Sequence, residues 1–137
     1  MDRAEVVTEL QRSWVRKLYA WWRHYNEEYL DGALVLPLIE LGGEGAVLGS
    51  WDTTHRRLRI AAGHIAADPW LRVMDTLRHE MAHQYVAEVL QAVDESPHGE
   101  AFRRACKKLR CQPAARAVGT SKRDESDQQL QRLQKVL

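Results

Sequence analysis

The sequence predicts an α+β domain: a long N-terminal helix, a small three-stranded antiparallel sheet, and two further helices. Three observations carry this. Apolar and aromatic residues recur every three or four positions across residues 4–30, the period of an amphipathic helix. Short apolar runs bounded by turn residues then follow as far as residue 62, the last with strict alternation. Beyond residue 68 a helical period returns, and it contains two histidines four residues apart.

In the first helix the stripe is Val7, Leu10, Trp14, Leu18, Trp21, Tyr25 and Tyr29, widened by Trp22. Aromatics at this spacing are expected to form core rather than a stacking surface. Asp31-Gly32 ends the helix in a turn. The run from Leu34 to Leu41 is interrupted by Pro37, which suits an edge strand because proline cannot donate to a ladder. Gly42-Gly43-Glu44-Gly45 makes a turn. Ala46–Asp52 and Arg56–Ala62 read as two strands joined across Thr53-Thr54-His55. In the second, Leu58 and Ile60 share one face, and Arg57 and Arg59 share the other. His55 and His64 have no partner at ligand spacing and are expected in solvated loops.

Asp68-Pro69 has the character of an N-cap and first helical residue, opening a helix that runs to about Gln91. Met74, Leu77, Met81 and Tyr85 are its core face; Thr76, His79, Glu80, His83 and Ala87 are its cleft face. His79-Glu80-Met81-Ala82-His83 is a His-Glu-x-x-His pattern. On a helix, side chains four apart stand one turn above each other, so both imidazoles can reach one cation at the roughly 2.0–2.1 Å that zinc requires. Glu80 is offset from them, where a carboxylate can take a proton from a water polarised by the metal.

A catalytic zinc commonly has three protein ligands and one open position. His98 is the best third ligand, since fourteen residues beyond His83 allow the chain to finish the helix and return. Ser96-Pro97 before it suits a helix start that places His98 in a first turn. Glu88 points too far round the helix to compete. Asp94 and Glu95 are better suited to holding a ligand imidazole by its other nitrogen. A final helix from His98 to about Leu109 buries Phe102, Ala105, Cys106 and Leu109, and Cys111 is expected to be an inert thiol.

These residues resemble the metalloprotease domain of SprT-like (Spartan-type) proteins. The resemblance rests on His79-Glu80-Met81-Ala82-His83 with His98-Gly99-x-x-Phe102. It is extended by Asn26-Glu27-Glu28-Tyr29-Leu30, Leu48-Gly49-Ser50-Trp51 and Arg57-Leu58-Arg59-Ile60, and covers roughly residues 10–110. It implies a zincin-like fold and a zinc-dependent endopeptidase, with one Zn2+ per chain. In the best-known members it implies cleavage of proteins crosslinked to DNA. Many members also carry a Cys-rich zinc-binding segment after the domain, whereas this chain has only Cys106 and Cys111.

Composition bounds the rest. The chain has 137 residues, with 20 basic and 19 acidic side chains. That length suits one domain, residues 1–119, followed by a polar tail or short helix, residues 120–137. Bulk charge selects no partner. No apolar run approaches the roughly 18 residues of a membrane span, and the charged N-terminus lacks a secretory h-region. Two cysteines without an extracellular context suit a reducing, cytoplasmic compartment.

Charge is unevenly spread, however. Residues 101–123 hold eight basic side chains and no acidic one. Arg103, Arg104, Lys107 and Lys108 lie on the helical part. Such a face either tracks phosphates or is simply solvated. Trp51, Arg57 and Arg59 could add a stacking platform for single-stranded or disrupted DNA.

The expected function is therefore zinc-dependent cleavage of a protein or peptide substrate, with Glu80 as base and His79, His83 and His98 as ligands. Its rivals are a nucleic-acid-binding module with a structural or vestigial zinc site, and a general or self-processing peptidase without a DNA role.

Overall fold

The computed structural model describes residues 2–42, 47–92 and 96–114. The predicted tail at residues 120–137, the glycine turn at 43–45, and Asp94 and Glu95 lie outside them.

Helix α1 spans Arg3–Leu30, its first turn capped by the Asp2 carboxylate, which accepts from the Glu5 N–H at 2.8 Å. It ends as predicted. Asp31 turns left-handed, Gly32 follows with φ 73°, and the Asn26 carbonyl receives the Gly32 N–H. The Asn26 amide then clamps the departing chain through two bonds to Leu34, one each way, at 2.9 and 3.0 Å. The buried face is Leu18, Trp22, Tyr25, Asn26 and Leu30. The predicted stripe therefore needs correction: Trp22 is 2% exposed and Trp21 39%. One residue is 100° of helix, and only the docked partner decides which neighbour turns inward. Val6, Val7 and Leu10 stay exposed on the first turns.

Strands β1 (Leu38–Gly42), β2 (Gly49–Asp52) and β3 (Arg57–Ala61) form one sheet in the order β1-β3-β2. β2 and β3 pair antiparallel across a tight turn, but β1 runs parallel to β3. The sheet is mixed, not wholly antiparallel. β3 takes the centre because Leu58, Ile60 and Ala61 are its most buried residues. β1 is held beside it by Glu40, opposite Arg59 in register and 2.6 Å from its Nε. The Tyr19 hydroxyl on α1 accepts the Ile39 N–H at 2.8 Å, tying β1 to the first helix.

A short helix, α2 (Ala62–Ala67), follows without any sequence signal, six residues being too few for a period. It buries His64 to 4% exposure, against the expectation of a solvated loop. The imidazole is satisfied by Asp68 Oδ2 at 2.6 Å and Thr76 Oγ1 at 2.9 Å, which is what makes its burial tolerable. Asp68 is thereby engaged with His64 and Arg72, so it does not cap the next helix. That helix, α3, spans Trp70–Tyr85 and continues through a single wide turn, Val86–Leu90, to a left-handed Gln91. α4 spans Glu100–Leu109.

The core lies between α1, the sheet, α3 and α4, around Leu18, Leu58, Ile60, Leu77, Met81, Phe102 and Leu109. Each such side chain contributes about 1.5–3 kcal/mol by leaving water. These contacts fix α3 by its Leu77 and Met81 face, and thereby aim the opposite face at a cleft.

Candidate metal centre

Two turns of α3 present His79 and His83, and the turn before α4 presents His98. Their ligand-capable nitrogens lie within 4.8 Å of one another, the one such cluster of three among the described residues. Ring centroids are 5.2 Å apart for His79–His83, 5.5 Å for His79–His98 and 4.9 Å for His83–His98. His98 does not stand in a helical first turn as predicted. The Gly99 N–H bonds back to Ser96 O at 2.9 Å, closing a turn over Pro97-His98, and α4 starts only at Glu100. The non-helical turn lets the imidazole reach across to α3.

Phe102, one turn into α4, supports all three rings. It stacks on His83 at 4.2 Å and 20°, and meets His79 and His98 edge-on at 4.9 Å each. His79 is oriented a second way, since its Nδ1 lies 2.9 Å from the Gln112 carbonyl. A carbonyl can only accept, so Nδ1 carries the proton and Nε2 keeps its lone pair for a metal. The Gln112 N–H in turn donates to Asp75 at 3.2 Å. Neither partner was anticipated. A backbone carbonyl carries no sequence signature, while Asp75 could have been noticed four residues before His79.

Glu80 is buried and lines, with His83 and His98, a cleft of about 460 Å³ that also includes Trp51, Thr53 and Ala87. Burial pushes its carboxyl up to about 8. Burial, and then the neighbouring His79 and His98, push His83 down to about 4. The neutral His83 this favours is the form that ligates, and a dication at the triad would favour the Glu80 carboxylate again. The donor set therefore fits a divalent metal of the zinc type, with three imidazoles and an acid held apart as a non-ligand. Thr76, predicted on the cleft face, instead bonds His64 and packs towards β2.

β2 approaches this helix closely at Gly49. A Cβ there would sit 3.0 Å from Thr76 Cγ2, 3.1 Å from Glu80 Cγ and 3.1 Å from the Arg59 carbonyl. Glycine is needed because both helix and strand occupy that space.

A match to the SprT-like family spans residues 18–123. The chain belongs to the SprT-like family. No curated protein matches it. Among solved structures, the crystal structure of the metallopeptidase zymogen of Pyrococcus abyssi abylysin is similar, with a TM-score of 0.54 and 14% identity over 85% of this chain and 95% of that one. That likeness shows that this SprT-like domain and the abylysin zymogen share a fold.

The predicted basic residues are also placed. Arg103, Arg104, Lys107 and Lys108 are all exposed on α4, on the face opposite Phe102, while Arg116, Lys122 and Arg123 lie outside the described residues. The stacking platform does not form. Trp51 pairs with Leu58 and so shares its face, whereas Arg57 and Arg59 point to the other face and bond Glu40 and Asp52. Tyr85 is buried beneath Lys108, away from the cleft. Among the described residues no helix is long and apolar enough to cross a membrane.

Proposed function

We propose that this SprT-like domain is a zinc-dependent endopeptidase, with zinc held by His79, His83 and His98 and with Glu80 as the proton acceptor. The observation that carries the reading is the cluster of three imidazoles, two of which, His83 and His98, line one cleft together with the buried Glu80 carboxylate. Zinc, when bound, acts there as a Lewis acid that polarises a substrate carbonyl and acidifies water. The chain's own residues supply the rest. Glu80 takes a proton from the attacking water and returns it to the leaving amine. Its burial removes competing solvent and keeps its basicity high. β2 is an edge of the sheet, and its Trp51 and the following Thr53 border the cleft. An extended peptide can add to that edge through main-chain hydrogen bonds, which places a scissile carbonyl beside Glu80 without requiring a particular side chain.

The test separates ligands from base. Zinc should be found at one per chain, and His98→Ala should weaken its retention as His79→Ala and His83→Ala do. Glu80→Gln should keep zinc and fold but lose peptide cleavage by at least 100-fold, on the order of the general acid–base contribution. Unchanged turnover in Glu80→Gln would sink the assignment of the base, and full zinc occupancy in His98→Ala would move the third ligand elsewhere. A purely structural zinc site has no use for Glu80 in the cleft, which counts against the vestigial reading.

One observation favours a second property beside the first. The exposed Arg103, Arg104, Lys107 and Lys108 form a continuous basic face, suited to weak, sequence-indifferent contact with the phosphates of DNA. On that reading the substrates are DNA-bound or DNA-crosslinked proteins. Without it, a general or self-processing peptidase remains.

A further inference from the structure

α4 closes in a distinctive turn. Arg110 adopts the left-handed conformation with φ 56°, the Cys111 N–H reaches back to the Cys106 carbonyl at 3.0 Å, and the Arg110 N–H to that of Lys107 at 3.4 Å. These two bonds define a Schellman closure, which brings the side chain three places inside the end against the one two places beyond it. Here those two side chains are Cys106 and Cys111. Both are free, buried thiols. Both line a surface cleft of about 520 Å³ whose rim carries Arg103, Arg104 and Lys107. The residue after Cys111 is Gln112, whose carbonyl holds His79 and whose N–H is held by Asp75.

We propose that Cys106 and Cys111 are a reversible oxidation site, closed to an intramolecular disulfide by a small peroxide, and that closure loosens the support of His79. The first sulfur is assigned to Cys106, which shares the cleft with Arg103, Arg104 and Lys107, a basic surrounding that favours attack by sulfur. The neighbouring Cys106, followed by burial, pushes the Cys111 thiol up. Cys106 attacks one peroxide oxygen; the O–O bond breaks, water leaves, and a sulfenic acid forms on Cys106. Cys111 then attacks that sulfur, an S–S bond forms, and a second water leaves with the Cys111 proton. Two thiols are oxidised and one peroxide is reduced to two waters.

To bond, the sulfurs must close to about 2.05 Å. Cys111 moves with its sulfur, and Gln112 is its direct neighbour in the chain. Displacing an outer partner of a ligand imidazole typically lowers metal affinity by about 10–100-fold. Transient disulfides of this kind are the ones compatible with a reducing compartment. The coupling to His79 rests on the reading of that residue as a zinc ligand; the thiol chemistry does not.

The experiment treats zinc-loaded full-length protein with hydrogen peroxide and reads two quantities. Intact mass and peptide mapping should show the loss of two hydrogens and a link between Cys106 and Cys111. Competition with a chromophoric chelator should show zinc affinity about tenfold weaker in the oxidised protein, restored by a phosphine reductant. Cys111→Ser, at the cleft edge, and Cys106→Ala, a smaller change inside the core, should each abolish both responses. Sulfinic or sulfonic adducts, or an intermolecular dimer, in place of the internal link would overturn the site. An internal disulfide with unchanged chelator competition would overturn its coupling to the metal. A reduced protein that never retains zinc would instead strike the zinc reading, with the mass measurement still deciding the thiol pair.

Discussion

The rings of Phe102 and His83 are stacked, with centroids 4.2 Å apart and planes inclined by 20°. The same phenyl ring meets His79 and His98, so one buried residue of α4 is the floor beneath all three imidazoles. Rotamers locked by packing are what hold a site to its working geometry. Phe102→Ala should cost about 3–5 kcal/mol, as removal of a buried phenyl does, and risks unfolding. Phe102→Leu keeps an apolar side chain but loses the flat ring, and should bind zinc several-fold more weakly with the fold retained. Thermal melts of the metal-free protein, paired with chelator competition, separate the two effects. Equal zinc affinity in Phe102→Leu and the parent would show that the floor is not needed.

Gly49 sets the distance between β2 and the helix that bears Glu80. Gly49→Ala places a methyl group within 3.0–3.1 Å of Thr76, Glu80 and the Arg59 backbone, and backbone cannot yield cheaply. Overpacking of this kind costs about 1–3 kcal/mol. The expected outcome is a lowered melting temperature and reduced peptide cleavage, with zinc content unchanged because no ligand is touched. Cleavage at the parental rate would mean that β2 can shift without consequence for Glu80.

The Arg56–Glu88 pair makes stability depend on pH. Burial alone pushes Glu88 up, but the hydrogen bonds from Arg56 and Gln84, together with the Arg56 charge, outweigh it and leave the carboxyl below its ordinary value. A carboxyl depressed in the folded state contributes stability above its unfolded pKa of about 4.3, and loses it as pH falls through the folded value. Glu88→Gln should therefore be less stable than the parent at neutral pH, by no more than about 1 kcal/mol because Arg56 is partly solvated. The gap should close in acid. Urea melts across that range provide the check; a gap that persists at low pH would point to lost packing instead of lost charge.

The basic face of α4 has a separate readout. Fluorescence anisotropy with single-stranded DNA should show weak binding whose affinity falls with salt by roughly 0.7 log units per log unit of salt for each contacted phosphate. Reversing Arg104 and Lys108 to Glu should remove that binding and leave zinc content intact. No binding at low salt would reduce the face to a solvated surface and favour a peptidase without a DNA role.

Much of this was local and therefore legible in the residues. A period of 3.6 located α1, α3 and the buried side of α4, and alternation located β3 with Leu58 and Ile60 inward, because each pattern is set by the geometry of its own segment. The histidines four apart and Glu80 between them follow from one turn of helix, and His98 from the length of chain needed to return. What escaped was decided by contacts between segments distant in sequence. Whether β1 lies beside β2 or β3 depends on which strand is most apolar and on the Glu40–Arg59 pair across the sheet. His64 is buried because Asp68 and Thr76 both reach it, not because of its own neighbours in the chain. Arg57 and Arg59 find carboxylates on other strands, on the face away from Trp51, so the three do not make one stacking platform. The hold on His79 comes from a main-chain carbonyl at Gln112, thirty-three residues away. A peptide oxygen is the same at every position, so only the closing turn of α4 could determine which one would face His79.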